Sequence, residues 1–274
     1  MSGQRAAFLD IDGTLAFQGD IPEAHADLVR RARAKGTLVF VCTGRAKSFV
    51  PASLGEIGFD GMIATAGAYA EVGGTVVADR TIPLDVAGRL VEALDRYDAR
   101  YLLEATDALY ARPELLTTLD ERAARDNAED RKHASPQELL AALDLREDLT
   151  GVEFGKVGVL HSPIPVAQLA AEASDQLEVL EGSLPGMGAY SGEIFARGIN
   201  KAVGMLAVAE RLGVDVADVY AFGDGLNDLE MLSAAGVGVA IEGADPRVLA
   251  VADRTCPGPD QAGLVGAFEE LGLA

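Results

Sequence analysis

Positive charge is scarce in this sequence: 23 lysines and arginines stand against 43 aspartates and glutamates in 274 residues, a formal net charge of −20. Nucleic acid and anionic membrane surfaces bind through basic patches that displace counterions, so neither fits as a partner. An anionic ligand must be met by local positive charge, a metal ion or backbone N–H groups. Cysteine is nearly absent: Cys42 and Cys256 form no zinc spacing, and Cys42 lies inside the apolar run TLVFVCTG, where a buried structural thiol is expected. No apolar stretch is long enough to span a membrane, and MSGQR leads into strand-like AAFLDI without a signal-peptide core, so the chain reads as cytoplasmic. Repeats and low-complexity tracts are missing. A 49% hydrophobic content suffices for a sizeable core in one large domain or two smaller ones.

What is present is alternation. AAFLDI, PEAHADLVRRARAKG, TLVFVCTG, RAKSFVPASLGEIG and DGMIATAG read as strand, helix, strand, helix, strand, and a similar rhythm resumes near Gly198 with INKAVGMLAVAERLG, DVYAFGD, NDLEMLSAAG and VGVAIEG. This predicts an α/β fold with a doubly wound parallel sheet, right-handed crossovers and a ligand site at the carboxyl ends of the strands. Between the two series the texture changes. A helix over 85–98, a hairpin in RYLLEATDALYAR, a polar helix-rich stretch over 113–145 containing the solvated run ERAARDNAEDRKH, strands in GVEFGKVGVLHS and LEVLEG, and a turn in GSLPGMG together predict an inserted α+β domain. We place the core in residues 1–83 and 189–274 and the insertion in residues 84–188.

Chemistry-bearing residues fall at the strand ends. In DIDGT, Asp10 and Asp12 are two apart, so on an extended strand they face one side and can converge on one hard divalent cation. Gly13 permits a sharp exit, and Thr14 adds a hydroxyl and an N–H beside an anion. A simple β-turn at Asp12-Gly13 is the competing reading. In CTGR, Thr43 can donate to a phosphoryl oxygen or cap a helix, and Gly44 with the helix expected after it offers backbone N–H groups. In GDGLND, Asp224 and Asp228 flank a glycine turn with Asn227 between them, fitting metal ligation or, for Asp228, helix capping. Lys201 starts a helix, where a lysine is ordinarily solvated surface.

Together and in this order, DIDGT, CTGR, GINK and GDGLND, with an insertion between the second and third, resemble the haloacid dehalogenase superfamily of phosphohydrolases; the insertion resembles the large type IIB cap of its Cof-like sugar phosphatases. The resemblance implies Asp10 as nucleophile, Asp12 as general acid/base, and Thr43, Gly44, Lys201 and Asn227 as phosphate binders. It implies Mg²⁺ held by Asp10, Asp12 through its backbone carbonyl, Asp224 and Asp228. Two departures bear on substrate contact: Ala66-Gly67 stands where the family often has Asn-Gly, and Ala202 where a glycine commonly follows the motif lysine.

The expected reaction is hydrolysis of a small phosphorylated metabolite, a sugar phosphate, through an aspartyl phosphate, with Asp12 helped to hold its first proton by neighbouring carboxylates. A phosphotransferase or mutase, and a sensor without turnover, are the alternatives; the oligomeric expectation is a monomer or homodimer. The cap is expected to read the leaving group, with Arg112, Lys156, His161 and Tyr190 as polar candidates.

Overall fold

Three short strands open the chain, β1 (Ala6–Leu9), β2 (Leu38–Cys42) and β3 (Gly61–Ala64), paired in parallel, with α1 (Glu23–Ala34) crossing between the first two and α2 (Ser53–Ile57) between the next. The computed structural model describes residues 3–51, 53–123, 136–181 and 188–274. After β3 comes a hairpin, β4 (Tyr69–Val72) and β5 (Thr75–Asp79), whose first strand pairs antiparallel with β3. The parallel reading missed this edge. Gly73 and Gly74, both at positive φ, allow the two-residue reversal that an L side chain resists.

The chain then builds a second sheet. Its elements are α3 (Leu84–Arg96), β6 (Arg100–Glu104), β7 (Leu109–Ala111), α4 (Leu115–Ala123), α5 (Pro136–Ala142), β8 (Leu143–Leu145), β9 (Lys156–His161), α6 (Val166–Ala173), β10 (Leu177–Glu181) and β11 (Gly192–Ala196). It returns through α7 (Lys201–Leu212), β12 (Val219–Gly223), α8 (Leu229–Ala234), β13 (Val237–Ile241), α9 (Pro246–Val251), β14 (Arg254–Cys256) and α10 (Gly263–Glu270). Strand order is β14-β13-β12-β1-β2-β3-β4-β5 in the first sheet and β10-β11-β9-β6-β7-β8 in the second.

Two boundaries move relative to the sequence reading. β11, assigned there to the core as part of 189–274, pairs antiparallel with both β10 and β9, so the second sheet runs on through Ala196. We place the return crossing between Ala196 and Lys201. The single helix read in RAKSFVPASLGEIG divides into a 3-10 turn at Lys47–Phe49 and α2, because Pro51 has no N–H to donate and holds Val50 extended. Most of the run ERAARDNAEDRKH and nearly all of the turn GSLPGMG lie outside the described residues.

Period-two alternation explains the layers. In β1, Ala7 and Leu9 face one apolar cluster with Leu28 and Val29 of α1 and Phe268 of α10, while Ala6 and Phe8 face the other with Met205 and Val208 of α7. In the second sheet, Tyr101, Leu103, Val157, Val159 and Ile194 pack beneath α3 and α6. The opposite face carries Leu102, Leu109, Ala111 and Leu160, which close on Ala46 from the loop after β2. That face covers the carboxyl edge of the first sheet.

Candidate active site

Asp10 stands one residue beyond β1, where its N–H donates to Phe222 O at 3.0 Å and prolongs the pairing with β12. Its carboxylate is buried at the sheet's carboxyl edge. Lys201 reaches it from the first turn of α7, whose start is fixed by Asn200: the Asn200 side chain accepts the Val203 N–H at 3.1 Å. Far from solvated, Lys201 is 0% exposed, and its Nζ donates to Asp10 Oδ1 and Asp228 Oδ1, each at 2.6 Å. Asp228 spends its other oxygen on the loop after β12, accepting the N–H groups of Asp224 (3.1 Å) and Gly225 (2.9 Å). Asp228 stands at the start of α8 without a side-chain cap bond to it, so the helix-capping reading fails; the side chain ties down the preceding turn and belongs to the acid cluster. Oxygens of Asp10, Asp224 and Asp228 lie within 4.8 Å of one another.

Three carboxylates around one ammonium leave an excess of negative charge in a buried place. Burial raises Asp10 well above the ordinary carboxylate range; Lys201 opposes this, and Asp228 and Asp224 add to it. Asp224 is pushed up to about 6 by burial and by Asp228. For Lys201, burial disfavours the ammonium, but Asp10 and Asp228 outweigh it and hold the charge in place. Such a cluster of hard oxygens fits a divalent cation of the Mg²⁺ kind, which takes a few carboxylates and leaves positions for water and phosphate. Asp10, Asp224 and Asp228 each offer an oxygen to such an ion, and Asp228 also ties down the turn before it.

Asp12 departs from the reading that placed it beside Asp10 on one strand face. The strand ends at Leu9, and a turn follows in which Leu15 N–H donates to Ile11 O at 3.0 Å. Gly13 sits at φ +91°, and a Cβ there would stand 2.3 Å from Asp224 Oδ2, so the turn demands glycine twice over. The Asp12 side chain consequently leaves the acid cluster. Both its oxygens accept from Arg45, from Nε at 2.8 Å and Nη2 at 2.6 Å. A guanidinium, rather than neighbouring carboxylates, is its immediate partner. Thr14 also differs: its hydroxyl, expected beside an anion, donates to Asp224 Oδ1 at 2.9 Å.

The loop after β2 supplies the rest. Thr43 is buried, and its Oγ1 accepts the Arg45 N–H at 3.1 Å, bending the loop and leaving the hydroxyl proton to donate. Directly after Gly44 the chain makes this turn and a 3-10 turn at Lys47–Phe49, which replace the expected helix N-terminus. A Cβ on Gly44 would stand 3.2 Å from Asn227 Nδ2, which places Asn227 against the loop. Ala66 donates its N–H to Thr43 O (3.2 Å) and holds a left-handed backbone at φ 53°, a conformation asparagine tolerates better than alanine. Ala202, the second departure, is buried in α7.

Arg45 entered the site through its bonds to Asp12 without being given a role there in the sequence. The legible signal for Arg45 was its place directly after Thr43-Gly44. Among the cap candidates, Arg112 is tied to Asp95 (3.0 and 2.6 Å) and to Glu147 O. Its guanidinium is thus engaged by groups of the insertion, beside a cavity also lined by Asp98, Arg100 and Glu114. His161 and Tyr190 are exposed, whereas Lys156 is buried and donates to Gly44 O at 2.6 Å. Cys42 is buried, which pushes its thiol up, as expected of a structural cysteine. Among the described residues no helix is long and apolar enough to cross a membrane.

The sequence model of the haloacid dehalogenase-like hydrolases matches residues 7–268. YkrA of Bacillus subtilis, whose name assigns it phosphatase activity provisionally, is 28% identical over 97% of this chain and 97% of its own. A phosphoglycolate phosphatase of Methanosarcina acetivorans is 26% identical over 97% of this chain and 96% of its own. Among solved structures, a subclass IIB sugar phosphatase of the same superfamily superposes with a TM-score of 0.78 at 23% identity, covering 98% of this chain and 100% of that one. A phosphatase from Bacteroides thetaiotaomicron gives 0.80 at 24% identity, over 98% and 96%. At these identities the two structures speak for the fold, a mixed α/β architecture with a parallel-sheet core and a cap.

Proposed function

The chain belongs to the haloacid dehalogenase-like hydrolases, enzymes of the phosphoric monoester class, and from that premise we propose that it is a Mg²⁺-dependent phosphatase. Its substrate in this reading is a small phosphorylated metabolite of the sugar phosphate class. The observation that carries the reading is the buried set Asp10, Asp224 and Asp228 closed by Lys201 at the sheet's carboxyl edge. A ligand sensor has no need of a nucleophile held by a buried lysine.

In the proposed reaction, Asp10 attacks phosphorus in line: an Asp10 oxygen–phosphorus bond forms as the ester phosphorus–oxygen bond breaks. Asp10, Asp224, Asp228 and the Asp12 backbone carbonyl would hold Mg²⁺, which when bound would supply the positive charge that lets a carboxylate approach a phosphate dianion. Lys201 adds a fixed ammonium and orients Asp10. Thr43, the Gly44 N–H and Asn227 hold the phosphoryl oxygens. Arg45 passes its two-pronged grip from Asp12 to the phosphoryl group, which its planar donors also match, and so releases Asp12 to carry a proton. Asp12 gives that proton to the departing oxygen. It then takes one from the water that hydrolyses the aspartyl phosphate and returns Asp10.

The test is phosphate release from sugar phosphates, nucleotides and phosphorylated acids, with Mg²⁺ and with chelator. The reading expects Mg²⁺-dependent release with sugar phosphates preferred. No release from any ester contradicts it, and preference for a phosphorylated acid moves the substrate class toward that of the archaeal relative.

A further inference from the structure

The second sheet does more than cover the site, because two of its buried charges hold the loop on which phosphate binding depends. Glu104 of β6 and Lys156 of β9 are register partners, and Glu193 of β11 lies diagonal to them on the same face. Lys156 Nζ is 3.2 Å from Glu104 Oε1 and 3.1 Å from Glu193 Oε1, with its side chain 2% exposed. Gly158, two residues along β9, keeps this face open: a Cβ there would stand 3.3 Å from Glu104 Oε1.

From this triad one hydrogen bond crosses to the loop after β2. Lys156 Nζ donates to Gly44 O at 2.6 Å. Ala46 is also sealed among Leu102, Leu109, Ala111, Leu115 and Leu160, while Ser48 Oγ donates to Ala105 O at 3.0 Å. Residues 44 and 48 are thus bonded to β9 and to the residue after β6, with Ala46 packed between them. Apolar contact alone would leave such a loop free to slide; the Gly44 carbonyl, bonded to the buried Lys156 ammonium, fixes its register.

We propose that Lys156, with Glu104, is a positioning residue for the phosphate-binding loop, a clamp through which the cap sets Thr43, Gly44 and Arg45 in place. The assignment rests on reading Thr43–Arg45 as the phosphoryl-binding loop. It removes Lys156 from the candidates for reading the leaving group: every ester shares the phosphoryl group, so loosening the clamp weakens all substrates alike.

The test compares wild type with Lys156→Met and with the combined Lys156→Met, Glu104→Gln, Glu193→Gln chain. The single change leaves two carboxylates buried without a partner and can fail to fold; the combined one leaves no buried charge unpaired. Amide hydrogen exchange of the segment 43–49, inorganic phosphate binding by calorimetry in Mg²⁺, and kcat/KM on an aryl phosphate and on sugar phosphates are measured together. The clamp predicts roughly tenfold faster exchange in the segment, phosphate affinity weakened on the order of tenfold, and a fall in kcat/KM by a common factor for all esters. Unchanged exchange and phosphate affinity in the combined variant overturn it. A loss confined to sugar esters with the aryl phosphate untouched also overturns it, and makes Lys156 a reader of the leaving group. Should wild type hydrolyse no ester, the phosphatase reading fails, while exchange and phosphate binding still decide the clamp.

Discussion

At the residue scale, the site turns on charges that are costly to bury and are kept because each has a partner. Lys201 is the sharpest case, at 0% exposure between Asp10 and Asp228. Lys201→Met strands two carboxylates, and we expect a loss of about 3–5 kcal/mol in denaturant unfolding without metal, together with loss of turnover. Stability within about 1 kcal/mol of wild type contradicts the account of the pair. Asp10→Asn keeps the shape but not the nucleophile, and lowers kcat by about 10³-fold or more in steady-state assays. Strand ends and glycine turns pointed to Asp10, Thr43 and Asp224 because they mark the carboxyl edge of a parallel sheet, whereas Lys201 came only from the resemblance carried by the four motifs together. Sequence pattern could not show that Lys201 is buried, since a lysine at a helix start looks the same whether solvated or paired across 191 residues of chain. Nor could it show that Asp12 turns away to Arg45, because that follows from the Gly13 backbone and not from spacing.

At the scale of elements, the question is how a sheet and a loop from different parts of the chain share one job. β11 was misplaced in the sequence because its partners, β9 and β10, precede it and pair only in three dimensions, while the adjoining Gly-rich turn reads as a domain border. The hairpin of β4 and β5 was missed for a related reason: short strands after an α/β run look like a loop. Glu104 carries a testable electrostatic signature. Burial, the leading cause, raises it from 4.5 to about 7, with Lys156 opposing and Glu193 adding to the rise. Between those pH values the folded chain binds a proton that the unfolded chain does not, so wild-type stability falls as pH rises through this window. Glu104→Gln removes that titration, and the stability of wild type relative to the variant is expected to decline from pH 4.5 to about 7 and then level. Parallel unfolding curves across the window contradict the burial of an ionisable group there. His161→Ala and Tyr190→Ala, at exposed cap positions, are expected to shift relative kcat/KM among sugar phosphates by one to two orders of magnitude for at least one of them, on the roughly 1–3 kcal/mol scale of a lost polar contact. An equal effect on every ester makes the cap a lid alone.

At the scale of the whole molecule, an acidic chain with a net charge of −20 handles an anionic group by concentrating local counter-charge at one edge: Lys201, Arg45, backbone N–H groups and the metal expected at the acid cluster. Chelation is therefore expected to abolish phosphate release and Mg²⁺ to restore it. Ca²⁺, with longer and more numerous oxygen contacts, is expected to bind with little turnover, since it disturbs the in-line approach. Full activity in chelator contradicts the metal role. The central claim, that Asp10 takes the phosphoryl group, is tested most directly by trapping it. With Asp12→Asn and an aryl phosphate, whose leaving group needs no proton, the first step proceeds while the second lacks its base. Acid quench followed by peptide mass spectrometry is expected to find one phosphoryl group on Asp10; phosphate on any other residue, or none under turnover, contradicts the account.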